Sequence, residues 1–313
     1  MKKKALKPIG LIVGVIVGIG IATAVRQLVS LSERINAFET INPVFQLKQD
    51  MFSQYYSFER IESMFEEVLR DAYTGDFDVD FNNYVVCSII GQIDRLESEV
   101  KQGYNQYLSK EMVEYMATYV STLNDNNAIL EEGSIIYIKV NNFNMDFLSQ
   151  ISRRLSELET SEITIIIDLR DNFGGAVYLA AGYAEIFLEK EKIISRCVAQ
   201  LDEMVLISKA ENPIECKKIF LLVNSNTMSS AEIFVLALSE NLDNVLIVGE
   251  TTGGKGFGML QRELTDGSLY YLVAFDWFSP LDNNITGVGI HPDIELDVGV
   301  EFEDILKMLD SIG

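Results

Sequence analysis

The second half of the chain alternates between strand-like and helix-like segments, and this alternation constrains the fold more than any other feature. The strand-like segments are residues 134–140, 163–168, 218–223 and 244–248, and the helix-like segments between them are residues 146–159, 176–189 and 230–242. Nearly continuous apolar strands are typical of a parallel sheet that is covered on both faces. The pattern predicts an α/β fold with a mostly parallel sheet, helices on its faces and, around Asp266-Gly267, a β-hairpin.

The part of the chain before residue 133 follows a different pattern. Within residues 54–125, apolar residues recur every three or four positions, which predicts helices, and an asparagine- and glycine-rich stretch then ends the pattern. We therefore predict a small helical domain over residues 31–132, an α/β core over residues 133–298 and a closing helix over residues 299–313.

The amino terminus carries the pattern of an export signal. Four lysines precede an uncharged apolar run, residues 9–25, which as a helix at ~1.5 Å per residue spans roughly 26 Å. The positive-inside rule places the lysines in the cytoplasm and the chain after Arg26 outside. Two interpretations stay open. Residues 1–30 form a cytoplasmic stub and a single-pass anchor in the cell membrane, or they are a signal peptide that is cleaved after Ala24, which releases a secreted protein.

The composition excludes several classes of function. Asp and Glu number 47 against 25 Lys and Arg, a net charge of −22, so an acidic body would be repelled by nucleic acid. The single histidine, His291, excludes zinc sites built on paired histidines. Cys87, Cys197 and Cys216 include no Cys-x-x-Cys pair, so we predict no metal site and favour free thiols, with one disulfide left open.

Four short segments follow the ends of predicted strands: DLRDNFGG at 168–175, NSNTMSSAE at 224–232, GETTGGKG at 249–256 and GVGIHPDIEL at 287–296. Each has a purely structural explanation when taken alone, respectively a tight turn, a helix cap, an exposed turn lysine and a structural histidine. The third nearly matches a phosphate-binding loop, but Gly256 stands where Ser or Thr would bind magnesium. Because a hairpin rather than a helix follows, we reject a nucleotide site.

Taken together and in order, the four segments resemble the carboxy-terminal processing, or tail-specific, serine peptidases. The resemblance covers residues 133–298 and implies a crotonase/ClpP-like peptidase core, a Ser–Lys dyad and no metal or organic cofactor. In the family, the nucleophile stands three residues before an acidic residue, here Glu232, which selects Ser229 over Ser230. The general-base lysine of a glycine-rich loop is then Lys255.

The resemblance also implies an oxyanion hole and an orienting group. The hole would use the backbone N–H of Ser230 with that of Gly174 or Gly175. Many members have a glutamine four residues after the lysine, where this chain has Met259, and Gln261 two positions further could substitute. The family's PDZ module is too large for the short stretch between the helical segment and the core.

The sequence therefore predicts an exported, membrane-anchored serine endopeptidase that acts on unfolded or flexible polypeptides. The first alternative is a catalytically inactive module on the same fold that binds peptides or apolar ligands. The second is a scaffold whose helical domain recruits a partner. No nucleic-acid partner is predicted, and the sequence leaves the oligomeric state open.

Overall fold

The computed structural model describes residues 81–95, 97–122, 126–199, 202–264 and 267–296. The predicted anchor or signal at residues 1–30, most of the predicted helical domain and the predicted helix at 299–313 lie outside these residues. No helix among the described residues has the length and apolar character that a membrane span requires. The chain forms two compact units, residues 1–89 with 263–268, and residues 90–262 with 269–313. The second unit carries the fold described below.

The described residues contain five α-helices, one short 3₁₀ helix (Glu99–Lys101) and eleven strands. The helices are α1 (Phe81–Asp94), α2 (Lys110–Thr122), α3 (Met145–Ser156), α4 (Val177–Glu185) and α5 (Ser230–Ser239). The strands are β1 (Gln106–Leu108), β2 (Ala128–Glu132), β3 (Ile135–Lys139), β4 (Thr164–Asp168), β5 (Ile193–Val198), β6 (Glu203–Ile207), β7 (Lys218–Val223), β8 (Val245–Gly249), β9 (Phe257–Glu263), β10 (Leu269–Phe278) and β11 (Ile294–Glu295).

The predicted parallel sheet is confirmed. Six strands lie in the order β11-β8-β7-β4-β3-β2, and every neighbouring pair is parallel except β2 with β3. Successive side chains of β4 point to opposite faces, so Ile165 and Ile167 join the large core that includes the helices, while Ile166 packs with Phe220 and Val248 on the other face. Burial on both faces explains why these strands are apolar throughout.

Helix α5 lies at the centre of that core. Every residue from Ser230 to Leu238 is buried, as expected for a helix that is apolar all round. Helix α3 is amphipathic instead. It buries Phe147, Ile151 and Leu155, and the Asn144 side chain caps its first turn by accepting the Phe147 N–H at 2.8 Å. Helix α4 packs directly against α5.

A second sheet is antiparallel and is only partly predicted by the sequence. Its strands lie in the order β1-β10-β5-β6, and β9 also pairs with β10. The β9–β10 pair is the predicted hairpin, although residues 265 and 266 of its turn lie outside the described residues. Strands β5 and β6 are not predicted, because β6 is exposed along nearly its whole length and has no alternation to detect.

Two strands lie in a segment whose sequence indicates helices or loop. Strand β1 is three residues long and pairs antiparallel with β10, from Gln106 opposite Tyr271 to Leu108 opposite Leu269. Strand β2 pairs antiparallel with β3, from Ala128 opposite Lys139 to Glu132 opposite Ile135. The six-stranded sheet therefore begins before residue 133, the predicted start of the core.

Candidate active site

The loop between β7 and α5 holds Ser229 in an unusual backbone conformation. Its φ of 57° and ψ of −122° lie in a region that non-glycine residues rarely adopt, and such strain costs about 1–3 kcal/mol. The surroundings hold it in place, since the Thr227 hydroxyl donates to the Leu169 carbonyl at 2.9 Å and the Met228 N–H donates to the Asn172 carbonyl at 3.0 Å. The turn leaves Ser229 half-buried, whereas its neighbour Ser230 is fully buried.

The carboxylate of Glu232 joins two loops. One is the serine loop, residues 224–229 between β7 and α5, and the other is the lysine loop, residues 250–256 between β8 and β9. Glu232 is 0% exposed, and its Oε2 accepts the backbone N–H groups of Ser229 at 2.7 Å and Lys255 at 3.0 Å. Its Oε1 accepts the Gly254 N–H at 2.8 Å and the Thr252 hydroxyl at 2.6 Å. Burial raises the pKa of Glu232, and the four donors oppose that rise. One side chain thus fixes the spacing of both predicted catalytic loops.

The side chain of Lys255 is half-buried among apolar and aromatic groups. Its Nζ lies 3.4 Å from the Met259 sulfur, 4.8 Å from the centre of the Tyr104 ring and 5.8 Å from that of Phe257. Burial lowers the pKa of the amine below its usual 10.5, and the charge of Glu232 opposes this. A lysine in such a setting can exist as a neutral amine, which is the form that accepts a proton.

Gln261, the predicted orienting group for Lys255, lies on the same strand as Met259. Its side chain is exposed, and among the described residues the hydrogen-bond partner of the Lys255 amine is Met259. Met259 therefore occupies the position next to the amine.

The glycine turn after β4 packs directly against the serine loop. Gly174 has a φ of 90°, and a Cβ placed on it would lie 2.6 Å from the Met228 carbonyl oxygen, 2.9 Å from Ser229 Cβ and 3.0 Å from Ser230 N. Only glycine allows the two backbones to approach so closely. The structure therefore brings two sequence-predicted segments, 168–175 and 224–232, to one place.

Asn172 organises this turn, and the sequence analysis did not select it. The side chain is fully buried, donates to the Val140 carbonyl at 2.8 Å and accepts the Gly174 N–H at 2.9 Å. The N–H groups of Gly175 and Ser230, by contrast, have no acceptor among the described residues. The Ser230 N–H also lies at the amino end of α5, where backbone N–H groups attract negative charge. Such a pair of donors can bind an anionic oxygen.

A buried ion pair fixes the start of the same turn. Asp168 is fully buried at the end of β4, where its carboxylate accepts from Arg170 Nη2 at 2.6 Å and from the Tyr137 hydroxyl at 2.6 Å. Burial has the largest effect on the pKa of Tyr137 and raises it, and the charge of Asp168 raises it further. The phenol therefore stays protonated. The only sequence signal for this group is a buried strand that ends in Asp-Leu-Arg.

The remaining candidate groups are separate from these contacts. His291 is exposed, and its Nδ1 lies 3.0 Å from the Thr251 hydroxyl. Cys87, Cys197 and Cys216 are free thiols, and burial raises the pKa of Cys197 and Cys216 to about 11. Within the described part of the chain, no three His, Cys, Asp or Glu side chains are grouped as metal ligands.

Comparison with known proteins finds relatives that share one description, a probable CtpA-like serine protease. The chain is 29% identical to the "Probable CtpA-like serine protease" of Staphylococcus aureus (strain N315) over 170 residues. These residues are 53% of this chain and 34% of that protein. The protein of the same description from Staphylococcus haemolyticus (strain JCSC1435) is 33% identical over 135 residues, 42% of this chain and 27% of that protein. The chain thus spans about a third of the length of the first of these relatives.

Solved structures show a similar fold. A lipoprotein from Streptococcus agalactiae matches with a TM-score of 0.62 at 18% identity, over 86% of this chain and 96% of that one. The family model for peptidase family S41 matches residues 134–296, more than half of the chain. The matched range contains the serine loop, the lysine loop and the glycine turn. The chain belongs to peptidase family S41, a family of serine-type peptidases.

Proposed function

We propose that this chain is a serine endopeptidase in which Ser229 is the nucleophile and Lys255 is the general base. The observation that carries the proposal is the buried Glu232 carboxylate. It accepts the N–H groups of both residues on one oxygen, at 2.7 and 3.0 Å. Ser229 lies in a strained turn at the amino end of a helix, and Lys255 is half-buried with a lowered pKa. Such a setting suits a serine nucleophile and its lysine base.

The proposed reaction has two stages. The Ser229 hydroxyl attacks the peptide carbonyl carbon while the neutral Lys255 amine takes its proton, and the N–H groups of Ser230 and Gly175 hold the oxyanion. The Lys255 ammonium then gives the proton to the leaving amine, so that an ester to Ser229 remains. Water hydrolyses the ester with Lys255 again as base. Gly175 is preferred to Gly174 as a donor because the Gly174 N–H is already bound to Asn172.

The proposed substrate is an unfolded or flexible polypeptide. Membership of a peptidase family supports a polypeptide substrate, and backbone donors at a loop surface can hold an extended chain without a side-chain-specific pocket. We also propose that the core acts outside the cytoplasm, anchored by residues 9–25 or released after Ala24. The lysines and the apolar run of the amino terminus support this location.

The test is peptide cleavage by the full chain in detergent micelles, with a mixture of unstructured peptides and mass spectrometry as readout. We expect Ser229→Ala and Lys255→Ala to lower cleavage by roughly a thousandfold or more. The matched controls are Ser225→Ala and Lys209→Ala, which change exposed side chains and should leave cleavage unaltered. Cleavage that survives Ser229→Ala overturns the assignment of Ser229 as the nucleophile. A wild-type chain that binds the peptides without cutting them favours the alternative, an inactive peptide-binding module.

A further inference from the structure

The amine of Lys255 is enclosed by side chains that come from two distant parts of the sequence. Met259 and Phe257 belong to β9, whereas Tyr104 precedes β1 and lies outside the range that the family model matches. Tyr104 meets Phe257 edge to face, with 4.9 Å between ring centres and 83° between ring planes. The Lys255 Nζ sits over the Tyr104 ring and beside the Met259 sulfur. The enclosure therefore presents one aromatic face and one thioether to the amine.

Tyr104 is fixed between two backbone anchors. The Asp94 carboxylate accepts the Gly103 N–H at 2.8 Å and the Asn105 N–H at 3.2 Å. The Asn105 side chain, 6% exposed, accepts the Val273 N–H of β10 at 2.8 Å. Directly afterwards, β1 pairs with β10. Because the residues on both sides of Tyr104 are held, the ring has a defined place over the lysine.

The charges around the amine come from few groups. The Glu232 carboxylate acts on Lys255 from α5, and Lys101 lies over the far part of the enclosure with its Nζ 5.7 Å from the Phe257 ring centre. Lys101 is paired with Asp276 of β10 at 2.6 Å. The Lys255 amine itself forms no ion pair among the described residues. Its immediate partners are uncharged.

We propose that Tyr104, together with Met259, is a positioning residue for Lys255, holding the amine in place and keeping water from it. The inference rests on the proposed function, in which Lys255 is the general base. It assigns part of the active site to a segment that precedes the matched peptidase domain. Tyr104 acts on Lys255 and has no role at the reacting atoms.

The enclosure should lower the pKa of the Lys255 amine. An aromatic face attracts an ammonium, but a ring and a thioether solvate that charge less well than the water they exclude, so the enclosure favours the neutral amine. Removal of the Tyr104 ring admits water and should raise the pKa of Lys255, and we expect the neutral fraction at neutral pH to fall about tenfold. Tyr104→Phe keeps the ring and should keep the wild-type value.

The experiment measures the amine directly. The full chain in micelles is labelled with trace acetic anhydride between about pH 6 and 11, and mass spectrometry gives the extent of acetylation at Lys255, with the exposed Lys209 as an internal reference. The variants are Tyr104→Ala, Tyr104→Phe and the control Tyr115→Ala, which removes a tyrosine that is 66% exposed on α2. Circular dichroism checks that each variant is folded. The pH dependence of kcat/KM is measured in parallel.

The proposal is supported if the Lys255 titration moves to higher pH in Tyr104→Ala alone, with an about tenfold loss of cleavage at neutral pH that recovers at high pH. It is overturned if Lys255 titrates as in the wild type. If Tyr104→Ala does not fold, Met259→Ala opens the enclosure from the β9 side, and an unchanged titration there overturns the proposal. A shifted titration in a chain that never cleaves peptides supports the enclosure and overturns the peptidase function instead.

Discussion

At the scale of single residues, the Glu232 carboxylate accepts four hydrogen bonds that join the loop of Ser229 to the loop of Lys255. Glu232→Ala leaves four donors without their acceptor in a buried site, and each unsatisfied buried group costs about 1–3 kcal/mol. We expect the free energy of unfolding to fall by about 3 kcal/mol or more and cleavage to fall further than the folded fraction does. Urea unfolding and peptide cleavage on the same samples measure both. Glu240→Ala, which removes another carboxylate bonded to the Leu281 N–H, is the control for stability loss alone.

Lys255 gives a second prediction at this scale, because its lowered pKa should make stability and, if Lys255 is the proposed base, cleavage depend on pH. Burial lowers its pKa below 10.5 in the folded chain. Between that lowered value and 10.5 the unfolded chain binds a proton that the folded chain does not, so the free energy of unfolding should rise with pH in this window. Cleavage should rise through the same folded-state pKa. Urea unfolding at several pH values tests this, and an equal slope in Lys255→Met would contradict it.

At the scale of elements, the approach of the glycine turn to the start of α5 is the critical contact. Gly174→Ala places a methyl group 2.6 Å from the Met228 carbonyl oxygen at a φ of 90°, so the turn must move away from Ser229. We expect a loss of cleavage of roughly a hundredfold, mainly in kcat, since a displacement of this size misplaces the oxyanion donors. Steady-state kinetics measure it. Gly91→Ala, which meets open space in α1, should leave kcat unchanged.

The elements also show what the sequence could predict. Strands β4, β7 and β8 are evident because burial on both faces makes each a continuous apolar run, and the loops after them contain Ser229 and Lys255. The enclosure around Lys255 is not evident, because Tyr104 reaches it through long-range contacts, namely the Asp94 carboxylate, the bond of Asn105 to Val273 and the pairing of β1 with β10. Long-range antiparallel pairing leaves no local pattern in a strand of three residues. The sequence motifs therefore identify the candidate reacting groups, and the structure identifies the side chains that lie next to the Lys255 amine.

At the scale of the whole molecule, the net charge of −22 predicts a preference among the proposed peptide substrates. A protein with that excess of carboxylates attracts cationic chains and repels anionic ones over distances of about a Debye length, ~10 Å at 0.1 M salt. We expect kcat/KM for unstructured peptides rich in Lys and Arg to exceed that for equally long peptides rich in Asp and Glu at low salt. Added salt should reduce the difference, because screening acts on the approach of the peptide and leaves the chemistry at Ser229 unchanged.

The measurement compares two peptides with the same cleavable centre and flanks of opposite charge, at about 0.02 and 0.5 M NaCl. If the whole-molecule field is responsible, the ratio of the two kcat/KM values falls towards one at high salt, where the Debye length shrinks to a few ångströms. A neutral peptide of the same length should respond little and serves as the control. A ratio that does not change with salt would instead assign the preference to direct contacts near the serine loop, and would contradict a long-range origin.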